Sequence, residues 1–391
     1  MKLVITPWKQ RLGVFCIEDN MLSEVNIYDA KQEICIGDIY LGRVNKLLPN
    51  IKACFVQIGG KEEVFLPFDE TTGSLKSGDS ILVQIKKEAS KGKQALGTTK
   101  LSIAGMYCVL NAEKHSIEVS KKLSGEQRNY WKQALRQILE DDSFSVEEKE
   151  LLNKYCLILR TNVSENTQIL DVQKEWIKLS GQMDFILEKG KFQSLFKRVY
   201  RDKSAYVQHI LNCSQKNLEE IIIDDAEIYN EVKDAFAMSE TMQEKIRFYQ
   251  DDFPLSKLYS LETKMTEALA AKVWLKSGGF LMIEPTEALT VIDVNSGKFE
   301  KKSDAEEYYR KVNEEAAVEI ARQLKLRNIS GIIIVDFINM SRRENQEALL
   351  DFLSGLVAKD KIKTYVIGMT SLGLVEITRE KKEKPLWEQV Q

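Results

Sequence analysis

The chain has no pair of cysteines spaced to clasp a metal. Its six cysteines, Cys16, Cys35, Cys54, Cys108, Cys156 and Cys213, are scattered with no CxxC pair. That spacing excludes a zinc ribbon. The thiols read as buried and reduced, as in a cytosolic protein. Histidine is nearly absent. Only His115 and His209 occur, and neither lies in a local motif, so RNA cleavage by a histidine pair finds no support. No apolar run approaches the about 18 residues of a membrane-crossing helix, so none is expected. The opening Met1-Lys2-Leu3-Val4-Ile5-Thr6-Pro7-Trp8 is too quickly interrupted to be a signal peptide. A basic excess is missing too: the formal net charge is −3. Any nucleic-acid surface must therefore be local. Internal repeats and low-complexity tracts do not occur.

What is present is ordinary globular text, 43% hydrophobic and 29% charged over 391 residues. That length allows two or three domains with real cores. Residues 1–34 alternate polar and apolar around Asp19-Asn20 and predict a β-hairpin. From 35 to 112, short strands separated by glycine-containing turns predict a small barrel, followed by a loop with Lys86, Lys87, Lys91 and Lys93. Residues 113–203 mix helix and strand. Within them, Trp176, Leu179, Met183 and Leu187 at helical spacing predict a core face. Residues 204–262 hold an apolar strand ending at Asp224-Asp225, which reads as a helix N-cap. From 263 to 391 strand and helix alternate, so the chain reads as an α/β multidomain protein.

The chemistry concentrates in the last section. Ala288-Leu289-Thr290-Val291-Ile292-Asp293 and Gly331-Ile332-Ile333-Ile334-Val335-Asp336 are apolar runs that each close on an aspartate. Such runs predict strands covered on both faces. A carboxylate at the mouth of each is costly to desolvate unless a cation neutralises it. With Asn295 two residues beyond the first, the pair predicts a hard-metal site for Mg²⁺ or Mn²⁺. A metal held by Asp293 and Asp336 could activate a water and stabilise charge on a phosphodiester. An N-cap or turn aspartate after each strand is the plainer alternative. In the barrel, Phe55 and Phe65 could stack unpaired bases while Lys87 and Lys93 follow the phosphates. Core phenylalanines and a solvated lysine loop are the plainer reading there. Arg160-Thr161 could grip a terminal phosphate.

Asp293-Val294-Asn295-Ser296-Gly297, the helix Asn313 to Arg327 and Gly331 to Ile338 closely resemble the catalytic region of the ribonuclease E/G family. The spacing of the two aspartates also fits that family. Gly37 to Val44, Ala53 to Val56 and Phe65-Leu66-Pro67 look like its OB-fold. Leu159-Arg160-Thr161 looks like its pocket for an RNA 5′-monophosphate, and Ser120 to Arg128 resembles the segment leading into it. The match covers nearly the whole chain. The resemblance implies that Asp293 and Asp336 bind Mg²⁺ with Asn295 in support. It implies that Phe55, Phe65 and Lys93 hold single-stranded RNA, and that Arg160, Thr161 and Arg128 sense a 5′-phosphate. It implies an OB-fold barrel inserted in an RNase H-like subdomain, in two pieces at 1–34 and 204–262, with the 5′-sensor region at 113–203. A DNase I-like α/β catalytic subdomain follows from 263.

The expected function is endonucleolytic hydrolysis of single-stranded RNA, including mRNA and rRNA precursors, by a cytoplasmic protein without membrane contact. The sequence departs from the family in three places. The Cys-Pro-x-Cys motif is missing, so no zinc link is expected and any homo-oligomer must form otherwise. Asn339 stands where a second aspartate is common, and Ser371 where a basic residue is usual, which weakens a phosphate contact. The rival readings are a catalytically degenerate OB-fold RNA-binding protein and a phosphodiesterase acting on DNA or nucleotides.

Overall fold

Asp19 and Asn20 both take positive φ, 47° and 61°. That is the geometry of a tight hairpin turn, which asparagine and aspartate tolerate best. The chain therefore reverses between strands Arg11–Glu18 and Met21–Tyr28, which pair in antiparallel register. The expected hairpin is present, and Lys2–Trp8 joins it as a third strand. A computed structural model describes residues 1–29, 34–71, 73–89, 93–141, 144–163, 167–213, 218–237, 239–297 and 305–390. Lys91 lies outside the described residues. The chain divides into two units: Met1–Tyr28, Glu219–Ala226 and Arg247–Gln391 form one, and Asp29–Leu218 with Glu227–Ile246 the other.

In the first unit, Glu220–Ile223 pairs in parallel with Lys2–Ile5, so residues far apart in sequence complete one five-stranded sheet. Val4, Phe15, Ile17, Val25 and Ile222 from this sheet share a core with Leu261, Met265 and Leu326. Thr6 donates its hydroxyl to Asp224 Oδ2 at 2.7 Å, which ties the end of the fourth strand to the first. Helix Ala226–Ala235 follows directly after Asp224-Asp225.

The second sheet of this unit has six strands, in the order Lys272–Trp274, Phe280–Pro285, Leu289–Asn295, Gly331–Asp336, Val375–Arg379, Thr364–Met369. The two aspartate-ending strands are adjacent and parallel. A parallel pair needs a crossover, and helix Ala305–Leu326 supplies it. Leu281, Ile283, Ile292, Val294, Ile333 and Val335 pack on Ala316, Ile320, Leu324 and Leu353 of the helices. The opposite face is open: Ile332 is 55% and Ile367 62% exposed. This corrects the expectation of coverage on both faces. In this mixed sheet helices cover one face, and β-branched residues such as Val291 and Ile332 also suit the open one.

In the second unit, Ile39–Leu48, Ala53–Gln57, Glu63–Pro67, Ala95–Thr98 and Ser80–Lys87 pair in turn, and the last closes on the first. The result is a closed five-stranded barrel consistent with an OB-fold. Tyr40, Val44, Cys54, Val56, Val64, Leu66, Val83 and Ile85 fill it. A four-stranded sheet, ordered Ser116–Val119, Cys156–Leu159, Cys108–Asn111, Ser102–Ala104, follows. It packs with helices Gly125–Glu140 and Ile169–Lys189. Trp176, Leu179 and Met183 are buried as expected, while Leu187 is only half-buried and its neighbour Ile186 takes the core position. All six cysteines are buried, and none forms a disulfide among the described residues. Among the described residues no helix is long and apolar enough to cross a membrane.

Candidate active site

Asp293 is the direct cross-strand partner of Asp336. Neighbouring strands lie about 4.8 Å apart, and paired residues point to the same side. The two carboxylates therefore sit side by side on the uncovered face. Asp293 is half-buried and Asp336 exposed. Asn295, two residues on and hence on the same face, donates from Nδ2 to Asp293 Oδ2 at 2.7 Å.

The crossover helix braces both strand ends. The Tyr308 hydroxyl donates to the Ser296 carbonyl at 2.8 Å. The buried Asn313 donates to the Ile338 carbonyl at 2.8 Å and accepts from the Ile338 N–H at 3.0 Å. Glu306 accepts from the Ser341 and Arg342 N–H groups and from Asn345 Nδ2. The Arg342 and Ser341 N–H bonds hold its carboxyl below the usual carboxylate range. Glycine is required where two turns meet. A Cβ on Gly279 would lie 2.6 Å from the Asn295 carbonyl oxygen, and one on Gly297, at φ +68°, would lie 2.4 Å from that of Gly278. Any larger residue would push the turn after Asn295 away.

Two adjacent carboxylates repel unless a cation compensates them. Among the described residues neither Asp293 nor Asp336 is in an ion pair, and no cluster of three or more His, Cys, Asp or Glu could hold a metal. The donor set is two carboxylates with an amide beside them, all hard oxygen donors. That fits an ion such as Mg²⁺, which keeps several waters and takes one or two carboxylates. It does not fit a closed four-ligand zinc site.

On the barrel, Phe55 and Phe65 are direct cross-strand partners, their rings meeting edge-on at 5.7 Å and 63°. Both are half-buried and alternate with the core residues Cys54, Val56, Val64 and Leu66. They therefore face outward rather than filling the barrel. The register extends this row to Lys46 on one side and to Leu96 and Lys87 on the other. A bulge at each end sets those lysines outward. The register shifts between Val44 and Lys46 and between Ile85 and Lys87. The extra residue turns the lysine away from the core face that Val44 and Ile85 occupy. Lys93 is exposed beyond the row. Strict alternation hides Lys46 from a sequence reading, because it places Lys46 on Val44's side.

Arg160 follows its strand and is held by protein acceptors. It donates to the Gly105 carbonyl at 2.5 Å and to Asn212 Oδ1. Burial pushes its guanidinium pKa down. Lys203 donates to the Ala104 carbonyl at 2.6 Å and Asn162 to that of Met106 at 3.0 Å. The buried Glu175 accepts from the N–H groups of Met106, Tyr107 and Cys108 at 2.7–2.8 Å. Two cations thus take the carbonyls of Ala104 and Gly105, a neutral amide takes that of Met106, and a carboxylate takes the amides of residues 106–108. Thr161 is exposed beside Arg160. Arg128 lies on helix Gly125–Glu140 with its Nε buried and without a hydrogen-bond partner among the described residues. Ser371 is exposed in the turn between the last two strands of the other unit. Asn313 and Tyr308 escaped the sequence reading. The one available signal was an asparagine beside the apolar stripe of an amphipathic helix.

Residues 102–382 match the model of the Ribonuclease E/G family. Ribonuclease G of Haemophilus influenzae is 30% identical, with the match covering 98% of this chain and 79% of the relative. Ribonuclease G of Escherichia coli is 28% identical over 98% of this chain and 80% of its own. Ribonuclease E of Synechocystis sp. is 30% identical over 99% of this chain and 58% of its own. These matches run through both aspartate strands and the helix that braces them, and the chain belongs to the ribonuclease E/G family.

Proposed function

We propose that this chain is a Mg²⁺-dependent endoribonuclease acting on single-stranded RNA. The observation that carries the reading is the register of Asp293 against Asp336 on an open sheet face, with Asn295 bonded to the first. The names of its relatives support it. A bound Mg²⁺ would polarise a water and offset charge on the phosphodiester. Asp293 and Asp336 would hold the ion, and Asn295 would fix the rotamer of Asp293. Attack in line would break the bond from phosphorus to the 3′ oxygen. The water oxygen then stays on phosphorus, and the downstream product carries a 5′-phosphate. Asn313 is a positioning residue, since it sets the backbone directly after Asp336.

Phe55 and Phe65 would stack bases, and Lys46, Lys87 and Lys93 would follow the backbone. Arg160 and Thr161, with Arg128, would favour RNA bearing a 5′-monophosphate. The donors of Arg160 that Gly105 and Asn212 leave unused would reach the phosphate. In this reading the five-stranded sheet is the RNase H-like subdomain and the six-stranded sheet the DNase I-like one. The substrates would be mRNA and rRNA precursors in the cytoplasm, and a homo-oligomer would form without a zinc link. The test is cleavage of one oligonucleotide in 5′-monophosphate and 5′-hydroxyl forms, with and without Mg²⁺. The reading expects product only with Mg²⁺ and more from the monophosphate. Tight binding without product in any arm overturns it.

A further inference from the structure

The register that joins the two aspartates continues across the open face. Asp293 pairs with Met282 and Met282 with Lys272, while the next row runs Asn295, Phe280, Trp274. The rings of Trp274 and Phe280 meet edge-on at 5.5 Å and 65°. Lys272 Nζ stands 3.8 Å from both ring centroids. The ring quadrupoles draw the ammonium there, which fixes a positive charge on the carboxylate face. Trp274 is nevertheless 65% exposed. At about 4.8 Å per strand, Phe280 lies one strand from Asn295 and Trp274 two. That is the reach of a nucleotide flanking a phosphate held at the aspartate pair.

The platform is held rigid. The turn joining Trp274 to Phe280 closes through Leu275 N–H to the Gly279 carbonyl at 2.8 Å. Glu315 of the crossover helix accepts from the Lys276 and Ser277 N–H groups. Leu275 is buried in the core beneath. Gly279 touches the Asn295 carbonyl, so the aromatic turn and the catalytic turn share one backbone contact. An apolar protein partner fits this face poorly, because interface cores are depleted of charge and here an ammonium and two carboxylates flank the rings. A nucleic-acid strand supplies both a π-face for the rings and phosphates for the charges.

We propose that Trp274 and Phe280 form a stacking platform for a nucleobase next to the scissile phosphate, with Lys272 meeting a flanking phosphate. The proposal rests on the ribonuclease reading of Asp293 and Asp336. Stacking of this kind tolerates any base, so it positions the strand without setting sequence.

Two measurements test it, both on the full chain. The first compares cleavage of an intact single-stranded RNA with RNAs carrying one abasic nucleotide at successive positions around the cut. The wild type should lose about tenfold in kcat/KM at one flanking position, the scale of one base–aromatic stack. Trp274→Ala should lose as much on intact RNA and show no further loss on that abasic RNA. Trp274→Phe should keep most of the rate. The second reads tryptophan fluorescence of Asp336→Asn as the same intact RNA is added. Trp274 is one of five tryptophans, so the difference from Asp336→Asn carrying Trp274→Phe isolates it, and a quench confined to the Trp274 protein is expected. An abasic penalty as large in Trp274→Ala as in the wild type, or equal quenching without Trp274, overturns the platform. A wild type that fails to cleave while Trp274 is quenched overturns the ribonuclease reading and leaves the platform standing.

Discussion

Two outward-facing aromatic pairs, on two different sheets, are built almost alike. Phe55 and Phe65 on the barrel meet at 5.7 Å and 63°, and Trp274 and Phe280 on the six-stranded sheet at 5.5 Å and 65°. Both are direct cross-strand pairs with a lysine in the same or the adjoining row. The difference lies in what shares the face. The barrel row ends in Lys46 and Lys87 and contains no carboxylate. The sheet rows run on into Asn295, Asp293 and Asp336. Aromatics and lysines hold a strand, and two carboxylates in register can add a metal and hence chemistry. On the proposed reading, the comparison separates a surface that would bind RNA from one that would bind and cut it.

The largest effect should come from removing the carboxylates. Asp336→Asn should lower single-turnover cleavage by at least about a hundredfold, as loss of a charge-stabilising group does, while RNA affinity measured by titration changes little. Next is the brace beneath them. Asn313→Ala leaves the Ile338 N–H and carbonyl without their partner, so unfolding experiments should show a loss of about 1–3 kcal/mol. The rate at saturating RNA should fall while KM holds. Asn313→Asp keeps one acceptor and should recover part of the rate. On the barrel the effect should be smaller and of another kind. Phe55→Ala or Phe65→Ala should weaken binding by about 1–3 kcal/mol and raise KM with kcat unchanged. A fall in kcat instead would erase the distinction between the two rows. Smallest is Lys46→Gln, which should flatten the salt dependence of binding by about one counterion, and Lys87→Gln should match it.

Local features of this fold were legible, and pairings were not. Asp19-Asn20 announced its turn because those side chains tolerate positive φ. The aspartates stood out because each interrupts an apolar strand. That they face each other depends on the register of two strands separated by a 22-residue helix, and non-local register leaves no local mark. The open sheet face was misread for a related reason: β-branched residues suit a strand whether or not a helix covers it. Lys46 was hidden by a bulge. Nothing local marks Trp274 and Phe280, since only the register brings them to Asn295. Arg160 and Thr161 were found as a pair, but the hold of Gly105 and Asn212 on the guanidinium comes from distant segments.

The central claim is that the strand-end pair cuts RNA with Mg²⁺ while the barrel only holds it. Single-turnover cleavage of one single-stranded RNA at saturating protein tests this directly, using wild type, Asp293→Asn and Phe65→Ala, each with Mg²⁺ and with EDTA. The account predicts wild-type and Phe65→Ala rates within a few-fold of each other in Mg²⁺, no product from Asp293→Asn, and none from any protein in EDTA. Wild-type cleavage by Asp293→Asn, or product formed in EDTA, would contradict it.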